Sequence, residues 1–490
     1  MNTPIRRVSI FCMLLFLALM INATYYMFFA AADYNDRPEN RRVKEAAYSS
    51  QRGAILVGRD PIAESKPVDD EYNYLRTYDF PFIYAPITGY FSFGESTGIE
   101  SSQNDILTGD DPKLFIPSLV DLLSNEPASG GTVQLTIDPD AQRAAYEGLA
   151  AIGDGVEGAV VAIEPSTGKI LAMVSIPTFN PNKLSSHDFT ERDQTYADLL
   201  DDPRDPLVNR AISVRNFPGS TFKLITAAAA LESGKYVGAD ALVPGGPTFQ
   251  LPQTTGATGQ VDNEGRSQCD PKEITLRTAM AFSCNTTFAQ LAIEATSESM
   301  YEQAEQFGFN SDYLEDLDGQ VQSYFPPNMD PPQLGQSGIG QYDVQATPLQ
   351  MAMVAGAIAN DGVVMRPYIV NEVQAPDYDP QVTEPEELSE AVSPETAAVL
   401  TELMVSTVDE GTASNASIDG IAVAGKTGTA QRGGPDDPPY AWFVSFAPSQ
   451  NADVAVAVMI EEAPNIPRGE VGGNALGAPI AKAVMEAVIE

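Results

Sequence analysis

Apolar and polar positions divide the chain into three regimes. The first is one uncharged run over residues 8–32, interrupted only by Ser9, Asn22 and Thr24. About 20 apolar residues suffice to cross the hydrocarbon core as a helix. Ala30-Ala31-Ala32 offers a small-residue cleavage site, but a signal-peptide core is typically ~7–15 residues and this run has 25. The pattern predicts an uncleaved transmembrane anchor over 8–32, with residues 1–7 as a cytoplasmic stub. Arg6 and Arg7 precede the run, and Arg37, Arg41, Arg42 and Lys44 follow it. Long domains translocate largely regardless of such charges. The expectation is a single-pass protein of the cell membrane with its bulk extracytoplasmic.

The second regime, residues 33–150, is mixed, polar and turn-rich. Arg52-Gly53-Ala54-Ile55-Leu56 reads as a strand start, and residues 82–91 form an aromatic, β-branched stretch with turn residues inside it. No nucleophile and base stand together here, which predicts a smaller mixed α/β pedestal, of dimerisation type, rather than a catalytic domain.

The third regime begins near residue 133, and the domain it builds is assigned to 151–490. Residues 133–137 read as a strand, and Asp138-Pro139 opens a helix through 150, with Asp as N-cap and Pro in the first position. Residues 158–164 and 169–174 form a hairpin with Pro165-Ser166-Thr167-Gly168 at its tip. Helices are expected around 221–232, 273–295 and 391–408. Thr347-Pro348-Leu349-Gln350 carries a capping-box signature, and its helix stops at Asn360-Asp361-Gly362. Strands return at 421–424, leading into Lys426, and at 441–446 and 454–460, before a terminal helix over 478–489. Strands at both ends with helices between them imply one sheet assembled from both ends of an α+β domain. Polar connections near 244–268, 309–333 and 371–390 read as loops over or beside that sheet.

Composition then narrows the chemistry. The 490 residues carry a net charge of −39, which argues against nucleic acid as a partner, since a polyanion needs a basic footprint. There is one histidine, His187, in a polar stretch, and there are three cysteines. A Ser-His-Asp triad would have to use His187, and a structural zinc site lacks ligands. No metal or other cofactor is expected, so an enzyme here must find its proton acceptor elsewhere.

Phe217-Pro218-Gly219-Ser220-Thr221-Phe222-Lys223 supplies one. A turn precedes an alanine-rich helix, and residues i and i+3 share a helix face, so Ser220 and Lys223 are neighbours in its first turn. A free lysine is a poor base at neutral pH, but desolvation and a second cation lower its pKa until it can take the serine proton. Ser-x-x-Lys alone is weak. Ser166-Thr167-Gly168-Lys169 matches it in a hairpin turn, where no helix face joins the two, and Ser102-Gln103-Asn104 is a stray match for the next motif. The order decides. Ser283-Cys284-Asn285 lies 63 residues after Ser220, and Lys426-Thr427-Gly428-Thr429 lies 143 residues after Ser283, at a strand.

With these motifs in this order the chain resembles class B penicillin-binding proteins, most closely the actinobacterial A-type members. The likeness covers most of 133–490, including Gly158–Asn182, Thr347–Gln350, Ala359–Gly362 and Ala441-Trp442-Phe443, and it touches Arg52–Ile55 and Tyr84–Tyr90. The Asp-Arg-Asn-Gly frequent after the Arg-Gly pair is replaced by Val57-Gly58-Arg59-Asp60. The resemblance implies the serine β-lactamase/penicillin-binding transpeptidase fold, a five-stranded antiparallel sheet with helices on both sides.

It implies a peptidoglycan D,D-transpeptidase that forms an acyl-enzyme with D-Ala-D-Ala stem peptides and binds penicillin covalently. Ser220 is then the nucleophile and Lys223 its base. Ser283 and Asn285 relay a proton and hold the donor amide. Lys426 keeps Lys223 neutral and, with Thr427 and Thr429, holds the substrate carboxylate. Gly428 lets substrate approach the strand, and the N–H groups of Ser220 and Thr429 form an oxyanion hole. Implied partners are stem peptides, β-lactam antibiotics, a membrane glycosyltransferase and cell-wall assembly proteins.

Three rival readings remain beside it: a β-lactamase, which would need a glutamate-activated water, a D,D-carboxypeptidase, and a non-catalytic β-lactam sensor or scaffold. Only ~100–120 residues precede the catalytic region, too few for a glycosyltransferase domain of its own. Cys269 and Cys284 both fall on the oxidising side while Cys12 lies in the span, so they are expected to form a disulfide, two buried free thiols being the alternative.

Overall fold

The computed structural model describes residues 2–30, 45, 48–93, 95–111, 130–375, 379–434 and 437–489. An apolar helix over Thr3–Phe29 is long enough to cross a membrane, and its side chains are exposed. It starts within the expected stub, with Pro4 in its first turn, where the missing N–H leaves no hydrogen bond unmade. The last two residues of the expected span, 31 and 32, lie outside the described residues, as do the basic residues 37–44.

Strands Glu157–Ile163, Ile170–Ile176, Ala424–Ala430, Tyr440–Ala447 and Val454–Glu462 form one antiparallel sheet. In spatial order they run 424–430, 440–447, 454–462, 157–163, 170–176, so both ends of the domain do contribute. Side chains two residues apart share a face, and both faces here are apolar. Val160, Ala162, Val456 and Val458 meet the helices Pro139–Ala150 and Ala478–Ile489 on one side. Val161, Ile163, Ala455 and Ala457 meet Pro348–Ala359 and the central helices on the other. A sheet covered on both faces needs such continuous apolar runs. Strand Ala424–Ala430 stands at the sheet's edge.

A second sheet of six strands has the order Gln381–Val382, Val370–Gln374, Thr132–Leu135, Ile55–Val57, Asp60–Pro67, Tyr74–Tyr78. It departs from the sequence reading in two ways. Val370–Gln374 and Gln381–Val382, expected to be loop, cross from the catalytic half to pair in this sheet, and Gln381–Val382 forms its edge. Helix Pro139–Ala150, assigned to the first module, instead covers the five-stranded sheet. Residues 82–91 also differ. Pro81–Thr88 is a helix with Pro81 at its start, and burial of Tyr84 and Ile87 overrides their modest helix propensity.

Inside the first module Glu100 is buried between two arginines. Its carboxylate accepts from Arg52 Nε and Arg76 Nε at 2.6 Å each and from Tyr78 Oη at 3.1 Å. This cluster ties the Arg-Gly stretch to the helix Gly98–Ser102. Ser102 and Gln103, a stray motif match, donate to Asp316 O and so bridge the two halves.

Two helical expectations are refined. Thr347 does cap its helix, accepting from Gln350 N, but the Gln350 side chain donates to Phe307 O, so the capping box is half formed. The expected helix over 273–295 breaks into Leu276–Ala281 and Asn285–Ala295, with Ser283 in left-handed backbone at φ 55°.

Candidate active site

Pro218 leads into a 3₁₀ turn, Gly219–Phe222, which runs straight into the helix Lys223–Glu232. The turn sits directly against the edge strand. A Cβ on Gly219 would stand 2.8 Å from Thr429 O, and one on Gly428 would stand 2.9 Å from both Pro218 O and Thr221 Cγ2. Gly428 is therefore required by the approach of the Ser220 turn to the strand. This reason differs from the clearance for substrate that the resemblance implied.

Strand alternation sends Thr427 and Thr429 to the open side and Lys426 beneath. Lys426 and Lys223, each fully buried, meet below Ser220. Lys223 Nζ lies 2.8 Å from Ser283 O, 3.0 Å from Ser283 Oγ and 2.6 Å from Asn285 Oδ1. Lys426 Nζ donates to Ser283 Oγ at 3.0 Å and to Thr427 O at 2.9 Å. Ser220 Oγ is not among the partners of Lys223, and Ser220 faces the cleft above. Asn285 uses its other amide atom to donate to Asp262 O at 3.0 Å.

The helix break brings Ser283 here. A straight helix over 273–295 would carry Ser283 along a cylinder surface, whereas the left-handed turn presents both its carbonyl and its hydroxyl to the lysines. Cys284 at the break is bonded to Cys269 in a disulfide with Cα atoms 5.6 Å apart. Thr286 N donates to Asn263 Oδ1, and Arg266 Nη1 donates to Phe282 O and Ser283 O.

The charges are arranged to keep a lysine neutral. Burial pushes the Lys223 ammonium well below its ordinary range, and the Lys426 and Arg266 cations push it further, opposed by Glu264. Burial and Arg266 lower Lys426 to about 7. An amine so placed accepts a proton at physiological pH.

Ser220, Ser283, Asn285, Thr427 and Thr429 line one cleft of about 310 Å³. Asp262, Glu264, Arg266, Gln336, Gln341 and Gln431 share its walls and were missed in the sequence. They are polar residues of loops, of a strand end and, for Gln336, of the helix Pro331–Ser337, matching no motif. The decoy pair is elsewhere. Ser166 stays in its hairpin turn, and Lys169 lies 3.9 Å from Glu164. His187 pairs with Asp70 at 2.6 Å.

The model of the penicillin binding protein transpeptidase domain matches residues 158–486, and that of the penicillin binding protein A dimerisation domain matches 52–133. The chain is 42% identical to the peptidoglycan D,D-transpeptidase PbpA of Mycolicibacterium smegmatis, over 100% of this chain and 99% of that one. It is 41% identical to PbpA of Mycobacterium tuberculosis, with the same shares covered. The penicillin G acyl-enzyme complex of penicillin-binding protein A from M. tuberculosis superposes with a TM-score of 0.83 at 40% identity, covering 90% of this chain and 100% of that one. The imipenem acyl-enzyme gives 0.84 at 41%, covering 91% and 100%.

Proposed function

The chain belongs to the penicillin-binding protein family of transpeptidases, and from that membership we propose that Ser220 is the serine it acylates. The protein is a peptidoglycan D,D-transpeptidase that forms an acyl-enzyme with D-Ala-D-Ala stem peptides, cross-links them in cell-wall synthesis and binds penicillin covalently.

The observation that carries the residue assignment is the convergence of Lys223, Ser283, Asn285 and Lys426 on one buried hydrogen-bonded cluster beneath Ser220. Neutral Lys223 takes the Ser220 proton as Oγ attacks the penultimate D-Ala carbonyl. The oxyanion is met by the N–H groups of Ser220 and Thr429, each such donor being worth ~2.7–4 kcal/mol in comparable sites. The proton passes through Ser283 to the departing amine, the C–N bond breaks and D-Ala leaves. An amine of a second stem peptide then attacks the ester and frees Ser220. Lys426, Thr427 and Thr429 hold the terminal carboxylate, and the donor peptide adds as a strand along Ala424–Ala430. Asn285 releases Asp262 O when it takes a substrate carbonyl.

The Thr3–Phe29 helix anchors the chain in the cell membrane in a single pass, with the catalytic half outside. The module built around Ile55–Val57, Asp60–Pro67 and Tyr74–Tyr78 acts as the pedestal that holds it above the bilayer. A membrane glycosyltransferase that makes the glycan strands is the partner this placement favours.

Peptide mass mapping after labelled penicillin tests the assignment. The adduct is expected on Ser220 and absent in Ser220→Ala; an adduct that persists, or maps to Ser166, overturns it. Turnover of a stem-peptide thioester with an amine acceptor gives transfer product for a transpeptidase and hydrolysis alone for a carboxypeptidase.

A further inference from the structure

We infer that Arg266 is a positioning residue for acylation: its guanidinium clamps the helix break that carries Ser283 and aims the Ser283 carbonyl at Lys223. The inference rests on Lys223 being the base for Ser220, and it adds a residue outside all three motifs.

The clamp is built from one planar fork. Arg266 Nη1 donates to Phe282 O at 3.2 Å and Ser283 O at 3.0 Å, and Nε donates to Asn263 O at 2.7 Å. Two successive carbonyls therefore point the same way, which is the geometry that the left-handed Ser283 requires. A non-glycine residue holds such a conformation only where its surroundings impose it. Ser283 O is shared: Arg266 and Lys223 both donate to it, so the arginine fixes the acceptor against which the base is oriented.

The loop bearing Arg266 is itself secured. Asn263 Nδ2 donates to Gly246 O and to Thr286 Oγ1, and Cys269, three residues on, is bonded to Cys284. Arg266 is thus held from its own loop and holds the break in turn.

The guanidinium also contributes a permanent charge, since arginine stays protonated at any working pH. The charged groups around the lysine pair are Arg266, Glu264 and Asp262. Glu264 pairs with Arg266 at 2.5 Å but is 63% exposed, so water screens much of its field. Asp262 directs its carboxylate to Glu264 N. No carboxylate among the described residues makes an ion pair with Lys223 or Lys426. The Arg266 charge lowers both amines, after burial and Lys426 for Lys223 and after burial for Lys426.

Acylation by penicillin G, followed across pH in the full chain, separates the two parts of the role. Arg266→Gln removes fork and charge. Its rate at pH 7 is expected to fall about tenfold or more, with the acid limb of the profile moved alkaline. Arg266→Lys keeps the charge but one ammonium cannot reproduce the fork. Its limb should stay at the wild-type pH while its plateau drops about threefold or more. Wild-type plateau rates in Arg266→Lys would overturn the inference, as would an unmoved limb in a folded Arg266→Gln. If Arg266→Gln does not fold, Arg266→Lys decides alone. Adduct mapping to Ser220 in each variant shows that the acylation site stands independently of this result, whereas an adduct elsewhere would sink the earlier reading instead.

Discussion

Lys223 Nζ and Lys426 Nζ lie at the same distance, 3.0 Å, from a single oxygen, Ser283 Oγ. A hydroxyl has one proton and two lone pairs. It accepts from Lys426 and either accepts from Lys223 or, when Lys223 is neutral, donates to it. Two ammonium groups in a buried site with no carboxylate between them would repel, so the pair is built to hold fewer than two protons at neutral pH. In the mechanism proposed above, Ser283 is the hydroxyl through which the proton held by Lys223 passes to the departing amine.

This arrangement fixes the pH dependence expected of Lys426→Ala. Burial is the largest cause lowering Lys223 and the Lys426 charge is the second. Removing that charge returns part of the depression, leaving more of the base protonated near pH 7. Acylation should fall more steeply at pH 7 than at pH 9.5, by about tenfold for each pKa unit that Lys223 recovers. Rates of penicillin acylation at the two pH values measure it. An equal loss at both would mean that Lys426 only binds the substrate carboxylate.

The same lysine should cost stability. Its folded-state pKa is about 7, against 10.5 when unperturbed. Between these values the unfolded chain binds more protons than the folded one, so this contribution destabilises the wild type at pH 7 and fades as pH rises to 10.5. Lys426→Met, which fills the space without charge, is expected to gain stability relative to wild type at pH 7 and to lose that gain toward pH 10.5. Melting temperatures of the two proteins across pH 7–10.5 give the comparison. A difference that does not change with pH would show that Lys426 titrates normally.

Much of the sheet was legible because its signal is local. Residues 159–163, 441–444 and 454–460 are apolar runs of strand length, and such runs mark strands covered on both faces. The motif order likewise drew attention to Ser220, Ser283 and Lys426. The break at Ser283 was not legible. Ala279, Met280 and Ala281 before the break and Ala289, Gln290, Leu291 and Ala292 after it favour helix, and the left-handed turn between them is held by Arg266 and Cys269, which come from another segment. Val370–Gln374 was read as loop because its pairing partner, Thr132–Leu135, lies more than 200 residues earlier. Arg266 itself is one charge in a polar stretch, and only the fold shows that it points inward.

In the pedestal, Glu100 pairs with two buried guanidiniums and offsets one of their two charges. Burial alone would raise its pKa, but Arg76 and Arg52 outweigh that and hold it below the usual carboxylate range. Glu100→Gln removes the charge while leaving Arg52 and Arg76 buried, and breaking a buried pair in this way costs ~3–5 kcal/mol. The variant should show early protease cleavage within residues 48–111 while Ser220 still acylates. Wild-type resistance to protease would mean that the cluster is dispensable. Because the folded pKa of Glu100 is depressed, its contribution is present above about pH 4.5 and is lost as pH falls through the folded value.

The Cys269–Cys284 bond should be a stability element of the catalytic half. The two cysteines are fully buried and stand 15 residues apart, and a loop of that size yields ~3 kcal/mol in the chain-entropy model. It joins the turn Ser267–Cys269 to the residue that precedes the helix Asn285–Ala295. Mass mapping of non-reduced peptides from protein folded in an oxidising compartment should recover the linked pair. Full alkylation of both cysteines in denatured, unreduced protein would show that the bond is absent. The Cys269→Ala/Cys284→Ala variant should melt several degrees lower. Arg266 and Lys223 hold Ser283 O without the sulfur bridge, so its acylation rate should fall less than that of Arg266→Gln. The reverse order would make the disulfide, rather than the guanidinium, the main support of the helix break.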